Sequence, residues 1–161
     1  MLKLSRELFK ITHDSKYMDF YENTYYNSIL SSQNPETGMT TYFQPMATGF
    51  FKVYSTRWDK FWCCTGSGME SFTKLGDTIY MHDDDTLYVN FYQSSILEWA
   101  EKGVTITQES SIPEGASVKF TVKGDSAMDL RFRIPDWIDG NMNVSVNGSK
   151  YNYKTVSGYA D

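Results

Sequence analysis

Histidine and cysteine are scarce: two of each occur among 161 residues, and the cysteines stand side by side as Cys63 and Cys64. No Cys-x-x-Cys pair exists and no histidine is near Cys63 in the chain, so the spacings of a thiol redox module or a cysteine hydrolase are missing. A basic surplus is missing too. Fifteen Lys and Arg against twenty Asp and Glu leave a net charge of −5, and the cations are scattered, which removes the field that holds phosphates and argues against a nucleic-acid partner. Nor is there an apolar run of about eighteen residues to cross a membrane. The opening "MLKLSRELFK" carries charge where a signal peptide needs an apolar block, so it reads as a soluble segment.

Aromatics, by contrast, are plentiful. At 40% hydrophobic and 16% aromatic the chain can bury a core as one domain or as parts of two. Helical periods come first: Met1, Leu4, Leu8 and Ile11 share one face, and Tyr17, Phe20, Tyr21, Tyr25 and Ile29 another, after a cap at Asp14 or Ser15. "NPETG" then marks a turn, and "TTYFQPM" and "FFKVY" read as short extended pieces. From Thr86 alternation takes over, with Leu87, Val89 and Phe91 on one side, then Val118, Phe120 and Val122, then Leu130, Phe132 and Ile134, then Met142, Val144 and Val146. This half predicts a strand-rich domain, with Asn147-Gly148 as a type I′ hairpin turn. Because Met1–Ile11 has no capping signal before it, it reads as a helix entered midway, behind an all-helical domain.

Ser67 and Glu70 fit the capping box S-x-x-E, which predicts a helix beginning just after Cys64, with Gly76 available as a stop. A thiolate is favoured beside the unpaired amides of such a helix start, and Gly66 and Gly68 would let backbone approach a ligand. The plainer reading of the pair, which the residues alone favour, is two buried small hydrophobes or a strained vicinal disulfide.

"QNPETG", "FWCCTGSGMES" and "GDTIYMHDDD", in this order and spacing, resemble the β-L-arabinofuranosidase family, glycoside hydrolase family 127 and its relatives. The similarity runs through most of the chain and is strongest from Tyr17 to Tyr92. It implies an α+β chain: the last helices of an (α/α)6 barrel, with the cysteine loop, over residues 1–82, and an antiparallel β-sandwich domain, whole or in part, over 83–161. It also implies a retaining glycosidase acting on an arabinose-containing oligosaccharide or glycan. Cys63 would be the nucleophile and Cys64 a zinc ligand, Cys63 also touching the metal. The acid/base Glu and the other zinc ligands would lie upstream, in the missing N-terminal barrel, and leave this chain inactive alone. Tyr42 matches a tyrosine beside the nucleophile, and Trp62 and Gln44 flank the same region as sugar contacts.

The residues also support plainer roles. Tyr42 and Trp62 could pack, Glu36 fits a turn, Glu70 a helix cap, and His82 with Asp83, Asp84 and Asp85 a solvated turn. Arg131 and Arg133 suit the outer face of an amphipathic strand. A different class of protein remains open: a carbohydrate-binding or structural β-sandwich without chemistry, its sugar affinity mapping to Tyr88, Tyr92 or Trp99. Thiolates favour a reducing compartment, hence the cytoplasm.

Overall fold

A computed structural model describes residues 1–74 and 76–161. Three layers make up most of it. The middle layer is a five-stranded sheet in the order β1 (Tyr80–His82), β2 (Thr86–Val89), β6 (Asp129–Arg133), β10 (Tyr159–Ala160), β9 (Thr155–Val156). On one face of it lies the antiparallel sheet β3 (Ser95–Trp99), β4 (Val104–Ser110), β5 (Val118–Lys123). On the other lie helices α1 (Leu2–Thr12) and α2 (Lys16–Thr24), the latter running into a π-helical turn at Tyr25–Ile29. Pairing is antiparallel except between β2 and β6. This is the α+β class that the change of period predicts.

Alternation explains the two cores. Leu87 and Leu130 face the three-stranded sheet, meeting Trp99, Val104, Ile106 and Phe120, while Tyr88 points the other way, into a cluster of Phe9, Met18, Tyr21, Tyr25 and Tyr159. Phe91 departs from the predicted side. β2 ends at Val89, the alternation lapses, and the Phe91 ring packs 5.4 Å from Tyr21 in the helical cluster. The inward face of α1 also differs from the predicted one: Ser5 and Phe9 are buried, whereas Met1 and Ile11 stand 80% and 77% exposed. Phe9 is the largest apolar side chain of the helix, and the pocket among Tyr88, Tyr159 and His13 takes it.

Arg133 corrects the outer-face expectation for β6. The helices cover that side of the sheet, and the Arg133 guanidinium is completely buried between layers, its Nε donating to the Asn90 carbonyl at 2.6 Å. Its two terminal nitrogens pair with Asp19 and with Glu22, the latter at 2.7 Å, both on α2. Charge stitches α2 to the sheet.

The hairpin β7 (Val144–Val146) to β8 (Ser149–Tyr151) turns at Asn147 and Gly148 with φ of 51° and 80°, as predicted. A second turn of the same kind, at Ser157 and Gly158, presses on the start of α2, where Ser15 N–H donates to the Ser157 carbonyl at 2.9 Å. Gly158 has φ 82°, and a Cβ there would collide with Ser15 Oγ and stand 2.6 Å from its Cβ. Gly158→Ala is therefore expected to destabilise the fold by about 2–4 kcal/mol, combining left-handed backbone strain with overpacking. Adding Ser15→Gly should recover the steric share in urea denaturation; no recovery would place the whole cost in the backbone.

Candidate active site

Helix α3 (Cys63–Thr73) opens at Cys63 itself, not beyond Cys64. Trp62 occupies the cap position with extended backbone, and its carbonyl accepts the Thr65 amide at 3.0 Å. Ser67 thus lies a turn inside the helix and caps nothing. Both thiols therefore sit in the first turn, among amides that have no partner four residues back in the helix.

Both thiols are free, Cys63 exposed and Cys64 half-buried, with their sulfurs 3.9 Å apart. Desolvation, followed by the hydrogen bond and charge of the Cys63 sulfur, pushes the Cys64 thiol above its ordinary value. Two neighbouring thiolates repel, so full ionisation of the pair calls for a cation. The spacing suits one. Zinc–sulfur bonds of about 2.3 Å at a tetrahedral angle hold two sulfurs about 3.8 Å apart. Among the described residues no group of three His, Cys, Asp or Glu gathers to complete such a site.

Immediately before Cys63, Trp62 borders an open apolar hollow of about 730 Å³ with Tyr42, Phe43, Met46, Phe50 and Phe51. The Tyr42 ring meets Trp62 edge-on, 6.0 Å between centroids and 75° between planes. Tyr42 and Trp62 are therefore brought together, and Trp62 precedes Cys63 in the chain, while neither sulfur lines the hollow. Gln44 is not part of that wall; its Nε2 donates to Thr41 Oγ1 at 3.1 Å. Sequence reasoning missed Phe43, Met46, Phe50 and Phe51, although the aromatic runs "TTYFQPM" and "FFKVY" contain the signal.

The loop carrying Tyr42 is fixed by close contact. A Cβ on Gly68 would stand 3.0 Å from the Thr40 methyl, so this glycine lets α3 and residue 40 touch. Thr40 is in turn held by the Ser55 amide, which donates to its carbonyl at 2.9 Å, and Thr41 bridges to Tyr54. Upstream, the Asn34 side chain accepts from the amides of Glu36 and Thr37, the turn that "NPETG" predicts.

Glu70 ties α3 to α1: it lies 2.6 Å from Lys3 and 2.8 Å from Lys74. Hydrogen bonds from those two lysines hold its carboxyl at about 2, below the ordinary 4.5. Ionised and paired, Glu70 is no proton donor at neutral pH. Since its folded value is depressed, the tie is intact above about pH 5 and loosens only as the pH falls toward 2. A carbon-13 NMR titration should place the Glu70 midpoint near 2; a midpoint above 4 would show the tie absent.

The acidic turn is structural in the way its sequence suggests. Asp83 accepts from the Thr86 amide at 3.1 Å and the Tyr88 hydroxyl at 3.2 Å, and Asp85 pairs with Lys102. The alternative of a sugar-binding sheet loses its aromatics, since Tyr88 and Trp99 are 2% and 6% exposed and Tyr92 donates its hydroxyl to the Arg133 carbonyl.

Helices packed on one face of a sandwich, with two free thiols at the start of a third helix, define the chain's class as α+β. Two family profiles match it: "Beta-L-arabinofuranosidase, GH127 catalytic domain" over residues 1–77 and "Beta-L-arabinofuranosidase, GH127 middle domain" over residues 86–161. The chain belongs to that family. Among solved structures it is similar to Ara127N-Se, a GH127 β-L-arabinofuranosidase from Geobacillus stearothermophilus T6, at 26% identity and a TM-score of 0.84 over 99% of this chain. A GH127 β-arabinofuranosidase and a glycoside hydrolase share the fold at 23% and 24% identity, with TM-scores of 0.82 and 0.81 over 99% of this chain. The chain spans about a quarter of those structures: 27%, 28% and 28% of their lengths. No curated protein sequence matches it.

Proposed function

We propose that this chain supplies the nucleophile and part of the metal site of a retaining glycoside hydrolase acting on β-linked L-arabinofuranose. One observation carries the reading: two free, adjacent sulfurs 3.9 Å apart, the first of them exposed, on the opening turn of a helix that follows Trp62 at the edge of an aromatic hollow. Residues 1–82 then form the end of an (α/α)6 barrel, apart from β1, which already belongs to the sandwich sheet, and 83–161 the sandwich that supports it.

Cys63 attacks the anomeric carbon, forming a carbon–sulfur bond as the leaving oxygen departs, and water later displaces the sulfur. Two displacements at one carbon restore its configuration. Cys63 and Cys64 would hold a zinc ion, which when bound keeps both sulfurs ionised. Tyr42 can donate its hydroxyl to a sulfur or a sugar oxygen, and Trp62 offers a ring face to the sugar. The acid that protonates the leaving oxygen comes from elsewhere, because Glu70 is locked to lysines and Glu36 lies exposed on the "NPETG" turn. The remaining zinc ligands likewise come from the parts of the family fold this chain does not span, so the isolated chain is inactive. The cytoplasm, where thiols stay reduced, is the compartment that suits it.

The test is hydrolysis of β-L-arabinofuranosides by the full-length protein, with metal analysis and NMR of the first-formed sugar. Zinc bound at one equivalent and a first product of retained configuration are expected. An inverted product or no turnover would sink the proposal.

A further inference from the structure

We propose that Cys63 and Cys64 form a peroxide-responsive pair, in which oxidation of Cys63 is followed by closure of a reversible disulfide to Cys64. The inference rests on the preceding reading only for its effect on turnover; the sulfur chemistry stands on the geometry of the pair.

Cys63 is the more exposed sulfur, so peroxide reaches it first, and Cys64 is the sole other thiol of the chain. The sulfurs must close from 3.9 Å to a bond of about 2.05 Å. Adjacent Cα atoms are about 3.8 Å apart, below the roughly 4.4–6.8 Å common in disulfides, so the closed form is strained and readily reduced. Position decides whether the backbone can comply. In mid-helix the change would break hydrogen bonds on both sides of the pair, but the opening amides have no partner four residues back, so what must give is the 3.0 Å bond from Thr65 N–H to the Trp62 carbonyl and the bonds that the Cys63 and Cys64 carbonyls accept from the following turn. Room is available on the Gly66 side as well, since beyond its chain neighbours and the helix's own backbone nothing comes within 4 Å of where a Gly66 Cβ would be.

The steps balance. Peroxide transfers one oxygen to the Cys63 sulfur: the O–O bond breaks, an S–O bond forms, sulfur loses two electrons, and the other oxygen leaves as water. The Cys64 sulfur then attacks the Cys63 sulfur, the S–S bond forms, the S–O bond breaks, and a second water departs. The net loss is the two thiol hydrogens. Nucleophile and metal ligand are removed together, reversibly, before Cys63 can pass to the irreversible sulfinic acid.

The experiment treats the full-length protein, stripped of metal by a chelator, with hydrogen peroxide, then reads the tryptic peptide Phe61–Lys74 by tandem mass spectrometry. Exposed Met69 in the same peptide reports the oxidant dose. The expected result is a loss of about 2 Da at the cysteines, reversed by dithiothreitol, and in Cys64→Ser a gain of about 32 Da at Cys63 that dithiothreitol leaves in place. The proposal is overturned by sulfinic acid at Cys63 with Cys64 still alkylatable, by thiols that survive a dose oxidising Met69, or by Cys64→Ser recovering as the wild type does. Should the glycosidase reading fail instead, the peptide would still lose 2 Da, the expected mass change, in a reduced protein that never cleaves arabinofuranosides.

Discussion

Cys63→Ala in the full-length protein is expected to lower turnover by roughly ten-thousand-fold or more, as removal of a covalent nucleophile does in other enzymes. The fold should survive, because Cys63 is exposed and its side chain fills no core. Circular dichroism and melting should therefore match the wild type. The informative measurement is rescue. Azide added to the alanine variant can enter the space left by sulfur and attack the anomeric carbon once, giving a glycosyl azide of inverted configuration. A rescued product of retained configuration, or undiminished turnover, would remove Cys63 from the covalent role. Cys64→Ala should act differently, losing metal at chelator concentrations the wild type withstands, because only one of the two sulfurs would remain.

The second large effect is structural. Arg133→Met is expected to destabilise the protein by about 3–5 kcal/mol, the usual consequence of leaving buried charge unpaired. The methionine replaces much of the volume, so the loss is electrostatic. Asp19 and Glu22 would face each other without the guanidinium that separates them, and the Asn90 carbonyl would lose its donor. Desolvation works against the charge on Arg133, yet Glu22 and then Asp19 hold it more firmly protonated than in water. Burial, the largest influence on Asp19, lifts its carboxyl above the usual range despite that partner. The attraction thus returns less at Asp19 than desolvation takes away, and the network is better read as fixing register than as adding stability. The triple variant Arg133→Met, Asp19→Asn, Glu22→Gln should regain most of the loss in urea melts; a single variant that costs under about 1 kcal/mol would refute the account.

Much of this was legible in the sequence because it is local. Turn chemistry at Asn34 and at Asn147-Gly148, the helical period of Tyr21 and Tyr25, and the alternation of β5 and β6 depend on near neighbours only. What escaped depends on distant ones. Arg131 and Arg133 alternate like a solvated strand face, and nothing near them in sequence reveals that α2, over a hundred residues earlier, brings Asp19 and Glu22 to meet Arg133. The buried side of α1 was misjudged for the same reason, since two apolar stripes compete and only the sheet selects Phe9. At the site, a capping box pointed to Ser67, whereas the extended backbone at Trp62 starts the helix earlier. Local pattern placed the thiols near a helix start, and tertiary context moved them into it.

The central sheet has a practical consequence for anyone recombining these enzymes. The stretches matched by the two family profiles are separated by residues 78–85, yet β1, Asn90, Arg133 and Tyr159 bind α1 and α2 into the sandwich. A chimera cut at that seam would split one hydrophobic interior between two parents, so exchange of the sandwich should bring both helices along with it.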